Sequence, residues 1–200
     1  SKVADYSNVS ISTISDTAAN LVTIFDKMST LDTLTSVDVT DGAILSINKT
    51  QFDTSENLIP LIGNDKIAIS DLKVADIDNN FQSNFSGLAG LNVSDSAENL
   101  SQLFANAAQR TFCISENAQL NINNDKPLTF SASQFVNSYT ADFLGLVSTP
   151  YKVSISTPVS ITDLAELGKI KDNVSILPVT ISGTYTCLLY TSDAADDTPC

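Results

Sequence analysis

This chain contains an internal repeat, which limits the folds that it can adopt. Ile14–Leu21 (ISDTAANL) returns as Val93–Leu100 (VSDSAENL), and Leu45–Phe52 (LSINKTQF) returns as Leu128–Phe135 (LTFSASQF), in each case about 80 residues later. A third copy begins at Val159. Repetition at such a period is typical of proteins built from stacked units, none of which closes a hydrophobic core alone.

The repeat also predicts how the chain divides. We expect residues 1–13 to end a preceding repeat, 14–92 to form repeat 1, and 93–158 to form repeat 2. We expect 159–186 to be a truncated repeat 3, and 187–200 to be a tail that does not belong to the native protein.

The last residues differ in composition and in sequence pattern from the rest of the chain. The run Cys187–Asp196 (CLLYTSDAAD) resembles the in-frame translation of a synthetic sequencing adapter, and it lacks the Ser, Thr, Asn, Val and Ile pattern of the repeats. The chain also begins at Ser1 without Met, so we expect a piece of a longer protein. Without the tail only Cys113 remains, and no disulfide framework or cysteine metal site can be argued.

Apolar spacing after Asp16 predicts an amphipathic helix that begins just beyond this aspartate. Its apolar positions recur at helical spacing: Ala18, Leu21, Val22, Phe25 and Met28. The second copy keeps the same spacing: Ala97, Leu100, Phe104 and Ala107. Two more helical segments are expected at 55–62 and 132–146.

Short alternating triplets predict strands of three to five residues with one buried face. They lie at Val37–Val39, Leu45–Ile47, Ile67–Ile69, Leu72–Val74, Phe112–Ile114, Leu120–Ile122, Leu128–Phe130, Val153–Ile155, Val174–Ile176 and Val179–Ile181. Such strands, interleaved with short helices at a fixed period, favour an α/β repeat: a solenoid-like stack of short parallel strands and short helices. The alternative is a compact α+β domain formed by the two copies packing together.

Composition excludes several classes of function. The chain carries 23 acidic residues against 10 basic residues, a net charge of −13, which repels nucleic acids and anionic membranes. No apolar stretch is long enough to cross a bilayer, so no membrane insertion is expected. The sequence has no histidine for a nucleophilic triad and no glycine-rich phosphate loop. It also has no tryptophan with which to stack on a sugar, so an enzyme is not predicted and a carbohydrate-active domain is the weakest hypothesis.

Calcium is the only candidate ion, and otherwise no cofactor is predicted. Hard cations prefer carboxylate and carbonyl oxygens, and two acidic clusters could supply them. The candidate ligands are Asp38 and Asp41 in one cluster, and Asp76, Asp78 and Asn80 in the other. Neither cluster matches an EF-hand loop, and Asp and Asn are also common as turn residues at strand ends.

Two parts of the repeat carry a resemblance to known proteins. They are Ile14–Leu21 followed by a helix, and the pattern Val37–Phe52 with its Asp41-Gly42 turn. These resemble repeats of large bacterial exoproteins and surface adhesins, including ones that carry RTX-type calcium-binding modules. In the second copy, sequence comparison places Asn117-Ala118 at that turn.

The resemblance implies a non-catalytic structural or adhesive segment of a large exported bacterial protein, extracellular or on the cell surface. The alternative is a calcium-binding module of an RTX-like toxin or exoenzyme. The expected partners are neighbouring repeats of the same chain, together with a surface glycan or protein.

Overall fold

The alternating triplets form strands because every second side chain packs into the core, as in β2, where Val37 and Val39 are buried between exposed neighbours. The computed structural model describes residues 10–55, 57–63, 66–85, 87–160, 175–176 and 181–182. The strands within these ranges are β1 Thr13–Asp16, β2 Ser36–Val39, β3 Leu45–Asn48, β4 Ile67–Leu72, β5 Gly90–Asp95, β6 Gln119–Ile122, β7 Leu128–Phe130, β8 Lys152–Ile155, β9 Val159–Ser160, β10 Ser175–Ile176 and β11 Ile181–Ser182.

Short helices connect these strands, and most begin at a side-chain cap. They are α1 Ala18–Met28, α2 Lys49–Thr54, α3 Ile59–Ile62, α4 Asn79–Asn84, α5 Ala97–Ala105, α6 Ala107–Ser115, α7 Ala132–Phe135 and α8 Tyr139–Gly145. The predicted helices after Asp16 and at its second copy are α1 and α5. Most of the two stripes is buried as expected, with Leu21, Phe25, Leu100 and Phe104 at most 1% exposed. Ala107 was wrongly included, because α5 ends at Ala105 and Ala107 lies exposed at the start of α6.

All strand pairs in the described part of the chain are parallel, so the prediction of short parallel strands is confirmed. They form four small sheets with the strand orders β1-β2, β3-β4-β5-β6, β7-β8-β10 and β11-β9. Thr13 of β1, for example, pairs with Ser36 of β2, one strand-and-helix segment later. The result is a mixed α/β architecture with parallel strands in small sheets and several helices.

The core contains two clusters of phenylalanine rings, held by edge-on and tilted ring contacts. The first, called here cluster 1, consists of Phe52, Phe81, Phe85 and Phe112. The second, cluster 2, consists of Phe104, Phe130, Phe135 and Phe143. The rest of the core is filled mainly by aliphatic side chains from both strands and helices, as expected for a chain that is poor in aromatics.

Four sequence-based predictions of local structure are wrong. The expected strand Phe112–Ile114 lies inside helix α6, where Cys113 is fully buried. Asn106 starts this helix, because its side-chain oxygen accepts hydrogen bonds from the backbone N–H groups of Ala108 and Gln109. A short apolar triplet is compatible with both a strand and one turn of a buried helix. Here the Asn106 cap starts a helix, so the triplet is helical.

The other three differences concern where elements begin or end. The expected helix 55–62 begins only at Ile59, since Ser55 is the residue that ends α2. The expected strand Leu72–Val74 stops at Leu72, since Val74 already belongs to a short 3-10 turn. The expected helix 132–146 is two helices, α7 and α8, because α7 ends at Phe135 and its last turn closes through backbone bonds to Val136 and Asn137. None of the helices that the structure describes is long and apolar enough to span a membrane.

Candidate functional site

The repeated motif around Asp16 starts helix α1. The Asp16 Oδ1 accepts hydrogen bonds from the backbone N–H of Thr17 and from the side-chain amide of Asn20, both at 2.7 Å. Thr17 is the N-cap residue, and its hydroxyl accepts from the Asn20 backbone N–H at 3.4 Å. The polar residues of this motif are therefore used to begin a helix. The side-chain bond from Asn20 lowers the pKa of Asp16, helped by the backbone bond from Thr17.

The second copy of the motif adopts the same local structure around Asp95. The Asp95 Oδ1 accepts from the backbone N–H of Ser96 and from the side-chain amide of Asn99, both at 2.8 Å. A third bond exists only here, because Asp95 Oδ2 accepts from the backbone N–H of Val74 at 2.9 Å. Burial raises the pKa of Asp95, but these hydrogen bonds and the charge of Lys73 outweigh it, so the pKa lies below 3.8.

A second set of caps joins each helix start to a loop farther along the chain. Both carboxylate oxygens of Asp41 accept from the backbone N–H of Ala18 at 3.3 Å. The side-chain oxygen of Asn124 accepts from the backbone N–H of Ala97 at 3.1 Å. These contacts satisfy N–H groups that the helix itself leaves unpaired.

The same device recurs at α7, where the Thr157 hydroxyl accepts from the backbone N–H of Ala132 at 2.8 Å. The sequence comparison that placed Asn117-Ala118 at the Asp41-Gly42 turn is therefore wrong, because Asn124 takes the role of Asp41. Asn117 instead follows α6 with a backbone φ of 48°. Loop lengths differ between the two copies, and only the contact with the helix start reveals which residues correspond.

The first pair of candidate calcium ligands makes contacts within the protein. Asp38 lies on β2, exposed, and its Oδ2 accepts from the hydroxyl of Ser15 at 3.0 Å. Asp41 is occupied at the start of α1 and also accepts from the backbone N–H of Ala43 at 3.1 Å. The two carboxylates thus point to different partners.

The second candidate cluster behaves in the same way. The Asp76 Oδ2 accepts from the backbone N–H of Lys73 at 2.8 Å, and the Asp78 Oδ1 caps α4 by accepting from the backbone N–H of Phe81 at 2.7 Å. Asn80 lies inside α4, which the sequence had suggested was a turn. No group of three or more His, Cys, Asp and Glu side chains comes together among the residues described. Calcium binding stays a prediction.

One open cleft, which sequence reasoning missed, lies where α2, α3 and α4 meet. It has a volume of about 370 Å³. Its walls are formed by Lys49, Phe52, Asp53, Ile59, Pro60, Asn80 and Asn84. Of the predicted site residues, only Asn80 contributes to it. The signal available in the sequence was weak, because it consisted of polar residues spaced one helical turn apart on segments for which no helix was predicted.

Two other side chains of potentially reactive type, those of Cys113 and Arg110, have structural roles. Burial raises the pKa of the Cys113 thiol to about 12, so it is neutral and inert at ordinary pH. Arg110 donates from Nη1 to the backbone carbonyl of Phe104 at 2.7 Å, at the end of α5. Its guanidinium also lies 5.2 Å from the ring centres of both Phe104 and Tyr139. This arginine holds α5, α6 and α8 together.

Comparison with known proteins adds no relative from which a role could be transferred. No protein family, no curated protein and no solved structure matches this chain.

Proposed function

We propose that this chain is a non-catalytic structural and adhesive repeat segment of a large bacterial protein exported to the cell surface or the medium. In this proposal the repeats stack as a solenoid, and neighbouring repeats of the same chain are the first partners. The resemblance of the repeat pattern to exoproteins and adhesins supports an extracellular location, as does the acidic composition.

The parallel register of the strands is the observation that best supports this proposal. Ser15 of β1 faces Asp38 of β2, 23 residues on, and Ser70 of β4 bonds the carbonyl of Ile47 of β3 over the same separation. The strands β3, β4, β5 and β6 continue this pattern across the predicted boundary between repeats 1 and 2. Parallel pairing between strands that follow one another in the chain suits a stack that can be extended at its ends.

The caps support the same proposal. Asp41, Asn124 and Thr157 each bond the start of a helix in the preceding part of the chain. These three loop residues thus join one strand-and-helix segment to the next. A protein that must span a distance needs such joints more than it needs a reactive centre.

Duplication of one repeat tests whether the units stack. A second copy of residues 14–92 would be inserted after residue 92, and the maximum dimension would be measured by small-angle X-ray scattering. Paired strands lie about 4.8 Å apart, so three or four added strand layers should lengthen the particle by about 15–20 Å in one direction. Its cross-section should not change.

The matched control is an insertion of equal length made of Gly and Ser at the same position. It should add a flexible segment without lengthening the rigid part. A duplicated chain that grows equally in all directions, as a single compact domain does, would overturn the stacked arrangement.

A further inference from the structure

The cleft between α2, α3 and α4 combines two polar walls with an apolar one. Lys49 and Asp53 lie one turn apart on α2, and Asn80 and Asn84 lie one turn apart on α4. Ile59, Pro60 and the edge of Phe52 supply the apolar part. With a volume of about 370 Å³, the cleft lies in the range of small-ligand sites.

The charges in the cleft cancel. The Lys49 Nζ lies 2.5 Å from the Asp53 Oδ2, so the ammonium and the carboxylate neutralise each other. Asp53 is the only carboxylate among the lining residues described, whereas hydrolysis of a glycosidic bond requires two. The lining that the structure describes is therefore suited to binding an uncharged molecule.

The two asparagines have unused hydrogen-bonding capacity. Both are exposed, and the side-chain amides of Asn80 and Asn84 bond no residue that the structure describes. In contrast, Asn20 and Asn99 use theirs within the helix-start motif. A carboxamide offers both donors and an acceptor, which complements a hydroxyl group that also donates and accepts.

The cleft is held rigid from below by cluster 1. The Lys49 Nζ lies 5.5 Å from the centre of the Phe81 ring, and the Phe52 and Phe81 rings are 5.7 Å apart in an edge-on arrangement. Phe81 also contacts Phe85 and Phe112. A wall fixed in this way loses little conformational entropy when a ligand binds.

Comparison of the two repeats shows which residues of the α2 segment its fold requires and which it does not. Gln51 closes a capping box at the start of α2, and Gln134 does the same at α7. The Lys49 and Asp53 positions are not kept, because Ala132 stands in the place of Lys49 in the second copy. The fold of this segment thus does not require the charged pair that lines the cleft.

We propose that this cleft binds a neutral sugar residue of a surface glycan. The hydroxyls of the sugar bond the amides of Asn80 and Asn84 and the Lys49–Asp53 pair, while its apolar C–H face packs against Pro60 and Ile59. The inference deepens the adhesive part of the proposed function and rests on it. Because the cleft is open and one sugar ring offers little apolar surface, affinity in the millimolar range is expected.

Titration of the isotopically labelled full chain, followed by nuclear magnetic resonance, tests the proposal. The probes are the methyl glycosides of D-glucose, D-galactose, D-mannose and N-acetyl-D-glucosamine, with N-acetylneuraminic acid as an anionic comparison. We expect saturable shifts of the Asn80 and Asn84 side-chain amide signals with at least one neutral glycoside, and weaker shifts with the anion. The double variant Asn80→Ala/Asn84→Ala should raise the Kd about tenfold or more.

The control variant is Asn79→Ala, which lies on the same helix but not on the cleft, and it should bind like the parent chain. Absence of saturable shifts with all four neutral glycosides would overturn the proposal. So would equal binding by the double variant, or equal binding of the anion. The repeat-duplication experiment measures stacking alone. If the duplicated chain lengthens but no sugar binds, the sugar-binding proposal is wrong and the stacked-repeat proposal still holds.

Discussion

At the scale of the residue, two aspartates at equivalent places in the repeat have different surroundings. Asp16 makes two hydrogen bonds within its own helix start. Asp95 makes the same two bonds, and a third joins it to the N–H of Val74 in an earlier segment. Asp95 is 7% exposed, so that N–H would find no water if the carboxylate were removed.

This difference predicts unequal costs for the same substitution. Asp95→Ala should lower the free energy of unfolding by about 2–3 kcal/mol, because it leaves a buried donor unsatisfied and removes a charged acceptor. Asp16→Ala should lower it by less, since the groups it frees can reach water. Urea denaturation of both variants beside the parent chain measures the two losses. Equal losses would contradict a special role for the bond to Val74.

The same carboxylate predicts how stability depends on pH. Its pKa in the folded chain lies below the ordinary value of 3.8, so the unfolded chain binds the proton more readily. The stabilisation by Asp95 is therefore complete above that value and is lost as the pH falls through the lower folded-state pKa. Urea midpoints measured from about pH 7 to about pH 3 should fall less steeply for Asp95→Asn than for the parent chain.

Glu98 provides an independent comparison in the same pH series. A hydrogen bond from Lys126 and another from Asn124 lower the pKa of Glu98 to about 2. Glu98→Gln should also flatten the acid limb, and the double variant Asp95→Asn/Glu98→Gln should flatten it further. An acid limb that is unchanged in the double variant would show that other carboxylates control acid unfolding.

At the scale of the element, the caps from distant loops determine how each helix is attached. Asp41 and Asn124 occupy the same place at α1 and α5, but Asn124 also donates from Nδ2 to the Glu98 Oε2 at 2.9 Å. A carboxylate at position 124 would keep the bond to Ala97 and would face Glu98 with a like charge.

Exchanging the two caps should therefore give unequal results. Asp41→Asn should change the free energy of unfolding by less than about 0.5 kcal/mol, because asparagine and aspartate cap helices equally well. Asn124→Asp should be more destabilising, and salt should reduce the difference by screening the repulsion from Glu98. Thermal unfolding at low and high ionic strength measures both effects. An Asn124→Asp variant that matches Asp41→Asn would contradict this assignment.

At the scale of the whole molecule, the two phenylalanine clusters distinguish stacked units from one compact domain. Phe81 of cluster 1 is 2% exposed and Phe130 of cluster 2 is fully buried. Stacked repeats are stabilised mainly by contacts with their neighbours, so damage to one unit should stay local. A compact two-state domain would transmit the loss everywhere.

Hydrogen exchange of Phe81→Ala and Phe130→Ala measures this difference. Each substitution should cost about 3–5 kcal/mol locally. In the stacked arrangement, Phe81→Ala should speed amide exchange in α2 and α4 and leave β7 and β8 protected, and Phe130→Ala should do the reverse. Equal acceleration of exchange in both regions by either variant would favour the compact α+β alternative.

Calcium addition tests the alternative function on the whole chain. The proposed repeat needs no ion, and the carboxylates of Asp38, Asp41, Asp76 and Asp78 already accept hydrogen bonds from the protein. We therefore expect millimolar calcium to leave the melting temperature, followed by circular dichroism, unchanged. Magnesium at equal ionic strength controls for screening. A large upward shift specific to calcium would support the RTX-like module instead.

Elements whose signal is local could be predicted from the amino-acid sequence. The stripe of Leu21 and Phe25 and the alternation in β2 can be read from spacing, because burial of one face repeats with the period of the backbone. The repeat likewise predicted parallel pairing, since identical units can stack in register. Cys113 was misassigned because a single apolar triplet fits both a strand and a helical turn.

The partners of the polar residues, by contrast, became known only from the folded structure of the described residues. The backbone N–H of Val74 donates to Asp95, and that of Ala97 donates to Asn124. Both bonds join positions more than 20 residues apart, and varying loop lengths conceal such contacts in the sequence. The cleft was hidden for the same reason, because Lys49 and Asn80 meet only when α2 and α4 pack over cluster 1. Local periodicity reflects the geometry of the backbone, so it can be seen in the sequence. A binding site forms only where segments that are distant in the sequence pack against each other, so it cannot.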